Sequence, residues 1–160
     1  MGLFENKIKQ FPKIFDWVER LDVSRLSNFL LDNERCNRLF VASGGSFSAA
    51  VYAEQLSADK GIMSHALTPL LYAGSGFAHV AARTLLISAS GYNNDILRAY
   101  DNGCRAEEQE VGAVVLSSKG RLQTLMQEND ANNLFDFDIP TGRDGFLSST
   151  TVLAFYTLLY

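Results

Sequence analysis

Apolar positions recur every three or four residues through the first part of the chain. Phe4, Ile8, Phe11, Phe15, Val18 and Leu21 fall on one helical stripe. Pro12 interrupts the stripe, at a kink or a helix start. Asp22-Val-Ser reads as a break with an N-cap, and a second helix is predicted from about Arg25 to Asp32. From Arg38 the period changes. Leu39-Phe-Val-Ala-Ser is a short continuous apolar run ending in Gly44-Gly45-Ser46, and a helical pattern resumes from Ala49 to Leu56. Met63 to Leu67 is a second strand candidate. Thr84-Leu-Leu-Ile-Ser-Ala-Ser, ending at Gly91, repeats the strand-then-glycine device and precedes a predicted helix over Asn93 to Glu107. Gly112 to Ser117 is the next buried strand, followed by a helix near Leu122 to Glu128. Leu134 to Ile139 alternates strictly, as an edge strand with one exposed face does. A last helix is predicted from Ser148 to the C-terminus.

Alternating strands and helices predict an α/β fold: a three-layer αβα sandwich around a five-stranded parallel sheet, preceded by N-terminal helices. The expected flavodoxin-like strand order is 2-1-3-4-5. The division expected is residues 1–35 as helices packing on the core and residues 36–160 as the ligand-binding domain. In such a sheet the order reverses between the first and third strands, and ligands bind at the carboxyl ends of the strands there. Those two strands are the ones that end in serine- and glycine-rich loops.

The first loop, Ser43-Gly44-Gly45-Ser46-Phe47-Ser48, sets hydroxyls beside the unpaired amides of a helix start, an arrangement that favours anions. A plain serine N-cap explains it equally well. No Lys follows the glycines and the Gly-x-Gly-x-x-Gly spacing is absent, which argues against nucleoside triphosphates and dinucleotides. The second loop is Ser88-Ala89-Ser90-Gly91-Tyr92-Asn93-Asn94-Asp95, where Asn93 either caps the helix or meets a ligand oxygen. The third, Gly142-Arg143-Asp144-Gly145-Phe146-Leu147-Ser148-Ser149-Thr150, caps the last helix or closes a pocket from a third side.

Over 160 residues, 14 Lys and Arg face 18 Asp and Glu, for a net charge of −4 with the histidines neutral. The charges are interspersed, and no basic stripe marks a nucleic-acid surface, so no direct nucleic-acid partner is expected. No apolar run approaches the roughly 20 residues that span a bilayer, so no membrane partner is expected either. The first residues show no basic-then-apolar leader. A cytoplasmic location is expected, with Cys36 and Cys104 as free thiols. The scattered His65, His79, Cys36 and Cys104 lack ligand spacing, so neither a metal nor a cofactor is expected. Glu107, Glu108 and Glu110 read as a solvated helix end, and Asp136 and Asp138 as the solvent face of the edge strand.

Taken together, the three loops resemble the sugar isomerase (SIS) domain family, over about Arg38 to Tyr160. Ser88-Ala-Ser-Gly is similar to that family's Ser-x-Ser-Gly phosphate loop, the most specific of the three likenesses. Gly145-Phe-Leu-Ser-Ser-Thr resembles Gly-Val-Ala-Ser-Thr-Lys in the isomerase half of glucosamine-6-phosphate synthase, the first of whose two SIS domains is the nearest parallel. The sequence departs from that group at Ala89 (usually Gln), Tyr92 (acidic), Asn93 (Thr) and Thr150 (Lys).

The resemblance implies a small phosphorylated sugar as ligand. It places Ser88, Ser90, Gly91 and Asn93 around the phosphate, with Gly45, Ser46 and Ser148 facing the sugar. Glu54, two helical turns beyond Ser46, resembles the catalytic Glu of single-domain heptose-phosphate isomerases, though offset by one residue, about 100° around a helix. The implied activity is aldose–ketose or aminosugar-phosphate isomerisation or deamination, completed by a second SIS domain or a homodimer partner. A non-catalytic phosphosugar-sensing module is the alternative, and a domain without ligand is a third reading. The apolar final helix is expected to be buried in such a partner.

Overall fold

The computed structural model describes residues 3–32, 37–74, 76–77, 82–106, 109–142 and 149–160. Within them, β1 (Asn37–Ala42), β2 (Ser64–Leu67), β3 (Ala82–Ser88), β4 (Gln109–Val115) and β5 (Leu134–Asp136) form one sheet in the order β2-β1-β3-β4-β5. Every neighbouring pair is parallel. The expected fold and strand order are those observed.

The central strands are buried on both faces, so they read as continuous apolar runs. Alternate residues serve opposite layers. Phe40, Ala42, Leu85, Ile87 and Val114 point into one core, shared with α2 (Phe11–Val18), α3 (Ser24–Leu31), α4 (Phe47–Asp59) and α8 (Ser149–Leu159). Leu39, Val41, Leu86, Ala113 and Val115 point into the other, under α5 (Pro69–Gly74), α6 (Asn94–Cys104) and α7 (Arg121–Glu128). Ala49, Ala50 and Ala53 let α4 lie close on the sheet, and Tyr52 stacks on Tyr156 of α8 at 4.6 Å.

The N-terminal stripe forms two helices where one was expected, α1 (Leu3–Ile8) and α2, so three precede the sheet. Pro12 sits in the first turn of α2, where its missing N–H costs nothing. Ile14, Leu26 and Phe29 join the same core as the sheet. The expected boundary at residue 36 lies outside the described residues.

Two buried arginines anchor α3. Arg38 donates from Nε to Leu30 O (3.0 Å) and from Nη2 to Asp32 O (2.8 Å). Arg83 donates from Nη1 to Phe29 O and Asp32 O, both at 2.7 Å, and pairs through Nε with Glu110 at 2.6 Å. The last carbonyls of a helix have no partner within it, and here cations from two strands satisfy them.

Three predicted elements differ in extent. Helix α5 went unpredicted because Pro69-Leu-Leu-Tyr-Ala-Gly is too short to show a period. The helix predicted to Glu107 stops at Cys104, and Glu107 and Glu108 lie outside the described residues. Strand β5 ends at Asp136 although the alternation runs on to Ile139. Phe137 still donates to Val115 O at 2.9 Å, but the Asp138 carboxylate turns to accept from Ser118 N at 2.7 Å and the pairing ends.

Candidate functional site

The sheet register sets the two serine loops side by side. Ala42 of β1 pairs with Ile87 of β3, so the chain leaves both strands at one height and the next residues are Ser43 and Ser88. Asn93 joins the loops: its Nδ2 donates to Ser43 Oγ at 2.8 Å. Its Oδ1 accepts from Asp95 N (2.8 Å) and Ile96 N (3.2 Å), capping α6. The sequence offered Asn93 as cap or ligand contact; the structure makes it a cap and a bridge. Ser43, immediately after β1, was not singled out from the sequence. Its position was visible there, but its partner lies 50 residues away.

In the second loop Ser88 is buried, 5% exposed, and its Oγ accepts from Gly91 N at 3.2 Å. Ser90 Oγ accepts from Tyr92 N at 3.3 Å. Each hydroxyl is thus engaged as an acceptor, and its proton is left to donate. Gly91 makes the turn at φ +69°, a conformation that favours glycine.

The first loop forms a 3-10 turn over Gly44–Ser46 that runs into α4. Ser46 occupies the cap position of α4 yet makes no side-chain capping bond, so the plain N-cap reading does not account for its hydroxyl. Ser48 instead donates to Gly45 O at 2.8 Å, stiffening the turn. Beside the loops, a cleft of about 500 Å3 is lined by Ser43, Thr68, Leu70, Arg98 and Asn102. The third loop from Arg143 to Ser148, with the candidate Ser148, lies outside the described residues.

Glu54 lies on α4 with Oε1 3.9 Å from Nδ1 of His65 on β2. His65 also packs its ring against Phe77, 5.3 Å between centroids. His65 is paired with Leu39, three residues below the end of β1, which at the rise of a strand is about 10 Å from the loops. The structure therefore brings Glu54 to an imidazole at the sheet edge, below the serines. Among the described residues no cluster of His, Cys, Asp and Glu is fit to hold a metal ion, and no helix is long and apolar enough to cross a membrane. Cys36 and His79 lie outside the described residues; Cys104 is a free thiol whose pKa burial pushes up.

No family model matches the sequence, and none of the curated proteins does. Solved structures do share its fold. Tagatose-6-phosphate ketose/aldose isomerase from Escherichia coli superposes with a TM-score of 0.72 at 20% identity, over 96% of this chain and 46% of that one. A protein of E. coli CFT073, solved in complex with a sugar phosphate, gives 0.73 at 16% identity, over 98% and 86%. The NanR protein of Vibrio vulnificus, complexed with ManNAc-6P, gives 0.76 at 12% identity, over 98% and 59%. The chain spans less than half the length of the first of these and most of the second. Its fold is that of the SIS domain, as the serine loops led one to expect.

Proposed function

We propose that this domain binds a small phosphorylated sugar between its serine loops, as part of an aldose–ketose or aminosugar-phosphate isomerase or deaminase. One observation carries the reading. Ser88 and Ser90 stand at the switch point of the sheet with their hydroxyl oxygens already accepting amide protons, so what they offer a ligand is a pair of O–H donors. Phosphate oxygens are strong acceptors of that kind, and the Ser46 hydroxyl at the start of α4 adds a third donor beside free helix amides. Two of the structures that share the fold, the CFT073 protein and NanR, hold sugar phosphates in their complexes. Gly45, Gly91, Asn93 and Ser148 complete the proposed contacts.

Isomerisation requires a base at the sugar carbons. Glu54, paired with His65, is the carboxylate that the chain offers for it, with further acid–base groups supplied by a homodimer partner or a second SIS domain. The exposed apolar residues Phe15, Val51 and Tyr160 favour such a partner. A cytoplasmic location fits a ligand of this class.

A phosphosugar-sensing module is the second reading, favoured by the distance of Glu54 and His65 from the serines. The test is thermal unfolding with hexose, hexosamine and heptose phosphates against the unphosphorylated sugars. A ligand of the folded state adds about 2.7 kcal/mol of apparent stability at 100 times its dissociation constant. Stabilisation confined to phosphorylated sugars supports the cradle, and turnover of the stabilising sugar then separates isomerase from sensor. Equal responses to both sugar classes would overturn the phosphate reading.

A further inference from the structure

The Ser88–Gly91 turn rests on the start of α7. Leu122 donates its N–H to Gly91 O at 2.9 Å. Gln123, the next residue, is 2% exposed, and its Nε2 donates to the carbonyl of Ser117 in the loop that leaves β4. Its Oε1 is buried and has no hydrogen-bond partner. That oxygen lies in a slot walled by glycines: a Cβ built on either Gly91 or Gly120 would run into it. A Cβ on Gly120 would also come within 2.6 Å of Ser90 O. The amide of Gln123 is therefore a wedge between two backbones, one of them the serine turn itself. A buried oxygen without a donor is unfavourable, so stability alone would favour an apolar side chain of the same length in this slot.

We propose that Gln123 is a positioning residue for the phosphate site, a role that rests on the phosphosugar reading above. Its side chain props Gly91 from below, and its bond to Ser117 fixes where the wedge stands. Together they hold the Ser88–Gly91 turn in the shape that presents both hydroxyls outward. Preorganisation of this kind acts on ligand affinity, because a loosened turn must be ordered again each time a phosphate binds.

The test is amide hydrogen exchange by NMR, with titration of inorganic phosphate and glucose 6-phosphate, on the wild type, Gln123→Ala and Gln123→Met. Alanine empties the slot. Exchange at Ser90 to Tyr92 should quicken about tenfold and affinity for phosphate should fall about tenfold, while the amides of β3 keep their protection. Methionine refills the slot at the same length and should bring both readouts back to within about twofold of wild type. If wild type binds phosphate and Gln123→Ala neither loosens the turn nor loses affinity, the positioning role is overturned and the phosphate site stands. A methionine variant as loose as alanine overturns the wedge as well. If wild type answers neither probe, the phosphosugar reading itself fails, whatever the exchange rates show.

Discussion

The side-chain amide of Asn93 donates to the hydroxyl of Ser43 across 2.8 Å, tying the loop after β1 to the loop after β3. The same side chain caps α6 through its oxygen, so one residue does two separable things. Asn93→Asp keeps the acceptor and loses the donor; Asn93→Ala loses both. The alanine variant should lose about 1 kcal/mol of stability, the usual cost of a missing cap. Asp should retain most of that stability. Both should weaken phosphosugar binding, and Asp more than its stability implies, since a carboxylate beside the cradle repels an anion. Urea unfolding and ligand titration measured together separate the two effects.

Ser88→Ala and Ser90→Ala test the donors directly. Each removes one hydrogen bond to a charged group, worth about 1.5–3 kcal/mol, so the dissociation constant for a phosphorylated sugar should rise about tenfold or more. Affinity for the unphosphorylated sugar should not change. Isothermal titration with both ligands checks the contrast.

Gly91→Ala places a methyl group at φ +69° and against Gln123 Oε1. The left-handed conformation alone costs a side chain about 1–2 kcal/mol, and the collision adds to it. Stability in a urea titration should fall by about 2 kcal/mol or more, the larger share being lost at the ligand loop.

Arg83 holds α3 and Glu110 from the far end of the sheet, away from the serine loops. Arg83→Met leaves the Phe29 and Asp32 carbonyls without that donor and should cost about 2–3 kcal/mol of stability, read from the unfolding midpoint. Ligand affinity should be unchanged, which makes this variant a control for the serine variants.

Burial pushes the pKa of Tyr100 up to about 12, with its contact to Cys104 adding to the rise. In the unfolded chain a tyrosine ionises near 10. Between about pH 10 and pH 12 the unfolded chain releases this proton and the folded one keeps it, so stability falls as pH rises through that window. Below it the residue contributes no pH dependence. Chemical denaturation from pH 8 to pH 12 should show the loss, and Tyr100→Phe should reduce its slope.

Much of the architecture was legible from periodicity. Continuous apolar runs at Leu39–Ala42, Thr84–Ile87 and Ala113–Val115 follow from strands covered on both faces, and their alternation with helical stretches implied a parallel sheet. The serine loops were legible for a related reason: a strand–glycine–hydroxyl–helix order is local, and local order is what a sequence displays. Helix α5 was hidden because six residues show no period, and the end of β5 was hidden because Asp138 is drawn off by Ser118, 20 residues earlier.

By itself, then, the chain determined its strands, the right order for them and the two loops bearing hydroxyls, because each depends on neighbours within a few residues. Tertiary structure decided the rest. Only the register of β1 on β3 sets Ser43 beside Ser88. Only the fold turns Asn93 into a bridge, sends Glu54 to His65 at the sheet edge, and wedges Gln123 beneath Gly91. Each of these contacts joins residues separated by 11 to 50 positions along the chain. No local pattern encodes such a pairing, since it exists only once the sheet has brought distant segments to a common height.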